Sequence, residues 1–396
     1  LPQNSSKKER IKLLHRQFTS DFRERILDGR LPVGTRLPTD NELAAEYQLS
    51  RDTIRQALAL LADEGLIERV QGRGTFVCQP PTEDSGVRSV QAEKQIGLLL
   101  SMGYRQGGTF PQDILIGVEQ AVKSHGYSIR LSYTEGDPAQ QMREITRMSS
   151  NHVAGLIICP VASATDADVI ERLQTTSIPL VFVDRYLSEV AVDYVGADNR
   201  AGGYRATEHL IILGHRRIGF IFLAEETLET TSSVRERWQG YCEALQKYGV
   251  PYDSSLVIAD ADPKYASTLP GIHEFLQRPD RPGAIFAVND LVALDVMQAA
   301  HVLGLRIPQD LALVGFDNEL FAARITPPLT TIAQPFFDVG LRAGSLLVNR
   351  IEGNTSAPKH IELPANLLIR ESCGAQLHVL RAQRARLAPE SGDLLT

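Results

Sequence analysis

A small α+β head carrying a helix-turn-helix and a hairpin wing, followed by two α/β lobes of parallel sheet, is the fold class the sequence predicts. Three observations carry it. Residues 79–95 (QPPTEDSGVRSVQAEKQ) are polar, contain two prolines and a glycine, and show neither a helical nor a strand period, so they read as a linker between a short head and a long body. In the head, an apolar stripe at helical spacing follows a three-residue turn and precedes two short strands. In the body, β-rich apolar runs alternate with amphipathic helices.

The 396 residues are 43% hydrophobic and 22% charged, which is too long for one core and too apolar for disorder. The net charge of −7 excludes a uniformly basic nucleic-acid coat. Residues 1–80 nevertheless hold 13 Lys/Arg against 11 Asp/Glu, while the remainder holds 28 against 37. A mildly basic head on an acidic body suggests two jobs.

In the head (1–78), FTSDFRERIL places Phe22 and Ile26 on one helical face, and Gly29 and Pro32 mark its end. Thr39-Asp-Asn-Glu42 fits a capping box for the helix NELAAEY. The turn Gln48-Leu49-Ser50 leads to a second helix, in which Ile54, Ala57, Leu58 and Leu61 form a buried stripe. The strands LIERV and TFVC follow, joined by Gln71-Gly72-Arg73-Gly74, whose glycines permit positive φ in a tight turn. Helix, helix-turn-helix and hairpin make a winged helix-turn-helix.

In the body (96–373), strands are expected at 96–101, 127–133, 153–159, 179–184, 217–223, 283–288 and 311–316, with helices near 112–125, 138–150, 199–213, 233–248, 264–277 and 290–303. Strands this apolar have no wet face, so the sheets are parallel and covered on both sides. The span exceeds one core. Two lobes are therefore expected, with chain crossings near 197, 333 and 360 and a cleft outside the carboxyl ends of the strands. The tail, 374–396, holds a short Arg-rich amphipathic stretch and then turn formers.

On the second head helix, SRDTIRQAL sets Arg51, Asp52, Thr53, Arg55 and Gln56 around the exposed N-terminal turns. Arg can hold guanine edges bidentately and Gln can hold adenine, and the first turn is what enters a major groove. Gly72 and Gly74 let the wing backbone approach phosphate or the minor groove, with Arg73 beside them. The plainer alternative, ordinary solvated polar residues, does not account for the coincidence of stripe, turn length and wing. In the body, polar groups follow the apolar strands: Asp184 and Arg185, Asp198 and Asn199, Asn289 and Asp290, and Asp317, with Arg237 next to Trp238 in SSVRERWQGY. Charges at buried strand ends need partners, which are either internal ion pairs and helix caps or a hydroxyl-rich ligand. Their convergence favours a binding cleft.

Enzymatic chemistry finds no support. Gly-x-Ser-x-Gly, a P-loop, His-Glu-x-x-His and Gly-x-Gly-x-x-Gly after a strand are all missing, so no catalytic residue and no cofactor is expected. His209 and His215 are six apart and do not share a helical face, and Cys78, Cys159, Cys242 and Cys373 are too scattered for Cys-x-x-Cys. No metal site is expected, and the thiols read as reduced and mostly buried. No apolar run reaches the roughly 18 residues of a membrane span, and LPQNSSKKER lacks a signal-peptide core, so a cytoplasmic protein is expected.

The segments GTRLPTDNELAAEYQLSRDTIRQALALLADEGLI and RVQGRGTFV, within 15–78, resemble the GntR family of bacterial transcription regulators. The resemblance implies DNA contacts at Asn41, Arg51, Asp52, Thr53, Arg55, Gln71 and Gly72, with Arg36 on a phosphate. Thr39-Asp40 stands where the family usually has Ser-Glu. The body, through VFVDR, VGADNRAGGYRATEHLIILGHRRIGFI, RWQGY, FAVNDLVALDVMQAAHVLGLRIPQDLALVGFDN, PPLTTIAQP and LLIRES, is similar to the LacI/GalR regulators and the periplasmic sugar-binding proteins. That likeness implies a polar cage of Asp184, Arg185, Arg237, Asn289, Asp290, Asp317 and Gln334, with Phe110 and Phe316 stacking on a sugar face. The loop YRQGGTFPQD departs from the usual Asn-Pro-Phe-Phe.

The combined plan resembles regulators of the arabinose-repressor type. It implies a repressor controlled by a small sugar, a pentose such as arabinose being favoured, with a polyol, an inositol or a nucleobase as alternatives. It also implies a homodimer on a near-palindromic operator. The apolar faces of the helices near 112–125 and 290–303 are expected either to form a self-complementary interface or to pack into the core.

Overall fold

The chain divides into two units, Leu1–Val90 and Gln91–Thr396. The computed structural model describes residues 18–376 apart from 79–93, 102–109, 162–172, 225–226, 261–269 and positions 20, 24, 27, 29, 48, 64–65, 71–73, 135, 151–152, 174 and 176–177. Most of the expected linker and tail lie outside the described residues.

In the head, helical backbone at 18–19, 21–23 and 25–26 precedes α1 (Asp40–Glu46) and α2 (Arg51–Asp63). The capping box forms as its sequence requires: the Thr39 hydroxyl accepts from the Glu42 N–H at 3.3 Å, and the Glu42 carboxylate accepts from the Thr39 N–H at 2.7 Å. Ser50 Oγ accepts from the Thr53 N–H at 3.2 Å and so covers an orphan donor at the start of α2. The stripe Ile54, Ala57, Leu58 and Leu61 is fully buried, together with Phe18, Phe22, Ile26 and Leu43. Strands β1 (Ile67–Val70) and β2 (Gly74–Val77) pair antiparallel, with Val70 opposite Gly74 at φ +117°. The head is a winged helix-turn-helix.

The body holds two six-stranded sheets. The first comprises β3 (Lys94–Ser101), β4 (Tyr127–Thr134), β5 (Leu156–Ile158), β6 (Leu180–Val183), β7 (Asp193–Ala197) and β13 (His360–Leu363), in the order β13-β7-β6-β5-β3-β4 and parallel throughout. The second comprises β8 (Ile218–Leu223), β9 (Val257–Asp260), β10 (Ala284–Ala287), β11 (Ala312–Asp317), β12 (Thr330–Ala333) and β14 (Asn366–Leu368), in the order β14-β12-β11-β10-β8-β9. Only β14 runs antiparallel. Helices α3 (Phe110–Lys123), α4 (Pro138–Ser150) and α9 (Phe336–Ile351) belong to the first lobe; α5 (Asn199–Ile212), α6 (Ser232–Lys247), α7 (Pro270–Gln277) and α8 (Asp290–Val302) belong to the second. The chain crosses between lobes at Asp198, at Gln334–Pro335 and at 364–365. The last crossing lies past the expected 360 because β13 first completes the edge of the first sheet.

Within each lobe, neighbouring helices pack closely through glycines. On α5 and α6, a Cβ at Gly203 would overlap the Arg237 backbone, and one at Gly240 the Arg200 carbonyl. Gly240→Ala is therefore expected to lower stability by about 1–3 kcal/mol through forced separation of the helices, read by chemical denaturation. In the first lobe, α3 turns Ile114, Val118 and Val122 into the core against α9. In the second, Val292, Val296 and Ala300 of α8 are buried in the core. Of the two readings of these apolar faces, core packing accounts for the buried positions, and Ile116, Leu294 and Val302 are the large apolar side chains these helices leave exposed.

Candidate functional site

The second lobe gathers its polar groups where β10 to β12 end. Asn289 caps α8, its Oδ1 accepting from the Val292 N–H at 2.8 Å. Arg237, in the second turn of α6, is 5% exposed and is held from three directions. Its Nε donates to Asn199 Oδ1 at 2.9 Å, its Nη1 donates to the Val288 carbonyl at 2.7 Å, and its Nη2 lies 3.6 Å from Asp317 Oδ1. The guanidinium also lies over the Phe316 ring, 3.8 Å from its centroid. Asp317 ends β11, and its Oδ1 accepts from Gln334 Nε2 at 2.7 Å. Burial pushes its carboxyl well above the usual carboxylate range, and Arg237 opposes that shift. A guanidinium, a carboxylate and an amide thus sit in one connected array, each with a planar edge suited to paired hydroxyls.

The first lobe contributes from the ends of β5 and β6. Asp184 adopts φ +65°, and its Oδ2 lies 3.3 Å from Arg185 Nε and 3.8 Å from the Cys159 thiol that donates to it. The Tyr194 hydroxyl donates to the Asp184 carbonyl at 3.2 Å, which holds this unusual backbone in place. Gln141 fastens the neighbouring segment by donating to the Cys159 carbonyl and accepting from the Val161 N–H. Phe110 starts α3; its ring lies outside the described residues.

Of the nine expected effector residues, Arg237, Asp317 and Gln334 form one network beside Asn289, and Asp184 and Arg185 form a pair on the other lobe. Two are placed differently. Asp290 is 0% exposed, its Oδ1 accepting from the Thr331 hydroxyl at 2.6 Å and its Oδ2 from the Glu319 N–H at 2.8 Å. As the first residue inside α8 it turns into the lobe, so it braces the site instead of lining it. Phe316 is also 0% exposed, because its strand position points it inward under Arg237 and against Gly202. It supports the guanidinium and presents no open stacking face.

Sequence reasoning placed Asn199 at a strand-to-helix junction yet left it out of the cage; its carbonyl oxygen is the acceptor that orients Arg237. It also missed the strap between lobes: the Tyr186 hydroxyl donates to Glu236 at 2.6 Å, and the Tyr186 N–H donates to Ser232 Oγ at 3.0 Å. Burial raises the Glu236 carboxyl, and burial together with that carboxylate pushes the Tyr186 hydroxyl up to about 12. The one available signal was position, since these residues flank Arg185 and Arg237 in the chain. Tyr186 and Glu236 also line a cavity of about 690 Å³ with Asp198, Arg200, Tyr204 and Glu362. None of the nine expected residues lines it, and its charges find internal partners: Arg200 pairs with Glu243, and Glu208 accepts from the Tyr204 and Tyr248 hydroxyls.

On the head, Arg36, Asn41, Arg51 and Arg55 are exposed. Arg55 Nε lies 3.7 Å from Asp40 Oδ2, Thr53 Oγ1 lies 2.8 Å from Ser50 Oγ, and the Arg36 side chain packs over Gly74 of the wing. The side chains of Asp52 and Gln56, and all of Gln71, Gly72 and Arg73, lie outside the described residues. Among the described residues, no group of three or more His, Cys, Asp or Glu is placed to hold a metal ion, and no helix is long and apolar enough to cross a membrane.

Residues 15–77 match the bacterial regulatory proteins of the gntR family, and residues 207–373 match a periplasmic binding protein-like domain. The arabinose metabolism transcriptional repressor of Geobacillus stearothermophilus is 32% identical over 351 residues, covering 87% of this chain and 93% of the relative. The ribose operon repressor of Escherichia coli K12 is 31% identical over 278 residues, covering 70% of this chain and 81% of that protein. Among solved structures, a LacI family transcriptional regulator from Enterococcus faecium with bound ribose superposes with a TM-score of 0.59 at 27% identity, covering 70% of this chain and 98% of the other.

Proposed function

Because the chain belongs to the transcriptional regulators that join a GntR-family DNA-binding head to a LacI/GalR-like periplasmic-binding-protein domain, we propose that it is a repressor whose operator affinity is set by a small sugar held between the body lobes. It is a regulator and not an enzyme. The observation that carries the sugar is the Arg237–Asp317–Gln334 network at the carboxyl ends of the second sheet, with Asp184 and Arg185 at those of the first. Such groups have planar donor and acceptor edges that match adjacent hydroxyls, whereas an apolar guest offers their remaining donors and acceptors nothing. A pentose, with arabinose first, is favoured by relatives named as repressors of arabinose metabolism and of a ribose operon. A polyol, an inositol or a nucleobase is the second choice.

The head reads DNA by setting the start of α2 in a major groove, with Arg51 and Arg55 toward base edges, Asn41 and Arg36 toward the backbone, and the wing beside it. A homodimer places two heads on a near-palindromic operator in the cytoplasm. Sugar closes the cleft between the lobes and shifts the operator-competent population by the difference in its affinity for the two states.

The test is operator binding by fluorescence anisotropy, on DNA from upstream of the chain's own gene, with and without L-arabinose, D-ribose, myo-inositol and adenine. Release or recruitment by a pentose supports the proposal; response to adenine alone replaces the effector class, and no operator binding removes the function. Arg55→Ala is expected to cost about 1–3 kcal/mol of operator affinity and to relax preference at one base position. Unchanged affinity and preference would take Arg55 out of the reading set.

A further inference from the structure

Two consecutive non-glycine residues, Asp317 and Asn318, hold φ of 110° and 63°, a left-handed region that side chains resist. Something must hold this turn. Asn318 is secured by its N–H, which donates to Thr331 Oγ1 at 3.4 Å, and by its Oδ1, which accepts from Arg370 at 2.6 Å. The third hold comes from outside β11 and β12. Asp290, fully buried at the start of α8, accepts from the Glu319 N–H through one oxygen and from the Thr331 hydroxyl through the other. Its carboxylate takes the space a side chain at position 315 would need, since a Cβ on Gly315 would overlap Asp290 Oδ1. Helix capping does not explain Asp290, because Asn289 is the N-cap.

We propose that Asp290 is the positioning residue of the effector site: by gripping the Glu319 N–H and the Thr331 hydroxyl it keeps Asp317 and Asn318 left-handed, and so aims the Asp317 carboxylate at Arg237 and Gln334. The effector consequence rests on the proposed function, whereas the grip itself does not. A carboxamide at this position keeps both links. Its oxygen accepts from Glu319 and its NH₂ donates to Thr331 Oγ1, so Asp290→Asn restores what Asp290→Ala removes.

The experiment uses the full chain and two readouts: amide hydrogen exchange over 312–320 and over β8 and β10, and calorimetric titration with L-arabinose and D-ribose. In Asp290→Ala, the Asn318 and Glu319 amides are expected to exchange about tenfold faster while β8 and β10 keep their protection, and pentose affinity falls by a similar factor. Thr331→Val removes one of the two Asp290 links and also the acceptor of the Asn318 N–H, so it frees the Asn318 amide directly while the Glu319 amide, still held by Asp290, accelerates less than in Asp290→Ala; Asp290→Asn returns both readouts to near wild type. Wild-type protection at 318–319 in Asp290→Ala overturns the grip. Loss of protection spread evenly over the lobe, or failure of Asp290→Asn to rescue, reduces Asp290 to a core residue. A loosened turn with unchanged sugar affinity overturns the positioning role. A wild-type chain that binds neither pentose counts against the proposed effector class, and the exchange readout then decides the grip by itself.

Discussion

Arg237→Ala is expected to abolish the effector response while operator binding without effector persists, and to lower stability by about 3–5 kcal/mol. Arg237 is 5% exposed and is at once the countercharge of Asp317, the donor to Asn199 and Val288, and the cation over Phe316. Removing it leaves a buried carboxylate next to a vacated space, which costs more than the pair itself contributes. The head lies in a separate unit with its own core, so its fold does not depend on this residue. Arg237→Lys is expected to restore part of the stability and little of the response, because an ammonium cannot donate in a fork to two acceptors while lying flat on a ring. A sugar titration of operator anisotropy, with urea denaturation of the same samples, reads both effects. A normal dose response in Arg237→Ala would remove the network from the effector site.

The second large effect concerns pH. Burial pushes the Asp290 carboxyl up to about 7 from an ordinary 3.8, against the opposing bonds from Thr331 and Glu319. The folded chain therefore binds this proton more tightly than the unfolded chain. The resulting stabilisation is complete below about pH 4, is lost as pH rises through 7, and is flat above that. Asp290→Asn keeps the shape without the titration. Each tenfold difference in proton affinity between folded and unfolded chain is worth about 1.4 kcal/mol, so the variant is expected to be more stable than the wild type at pH 8 by a few kcal/mol and to converge with it near pH 4. Burial raises the carboxyls of Asp317 and Glu236 as well, and they leave a residual slope in the variant. Urea denaturation of both proteins from about pH 4.5 to 8.5 decides the matter, and parallel profiles would show that Asp290 does not carry the dependence.

The architecture was legible where local rules and burial agree. The Thr39–Glu42 capping box, the Ile54–Leu61 stripe and the apolar runs from Ile96 to Phe316 were read as they stand, because each signal is contained in one short window. The strands β9, β12, β13 and β14 and the helix α9 were not. β12 (TTIA) carries two buried threonines whose hydroxyls bond neighbouring segments, and β13 (HIEL) alternates because it is an edge strand with one wet face. Neither looks like a buried parallel strand outside its sheet.

The candidate site divides in the same way. That Asp317 ends an apolar strand, that Gln334 stands at a crossing and that Arg237 sits near the start of a helix was visible in the chain, and so was the division into a DNA-reading head and a two-lobed body. What the sequence by itself determined is which groups stand at strand ends, since strand length and helix caps are set within a few residues. Only the tertiary structure decided that Asp290 and Phe316 turn inward, that Asn199 orients Arg237, and that Tyr186 straps the lobes to each other. The direction of a side chain at an element's end depends on which distant donor or charged group packs against it, and those partners lie 29 to 79 residues away.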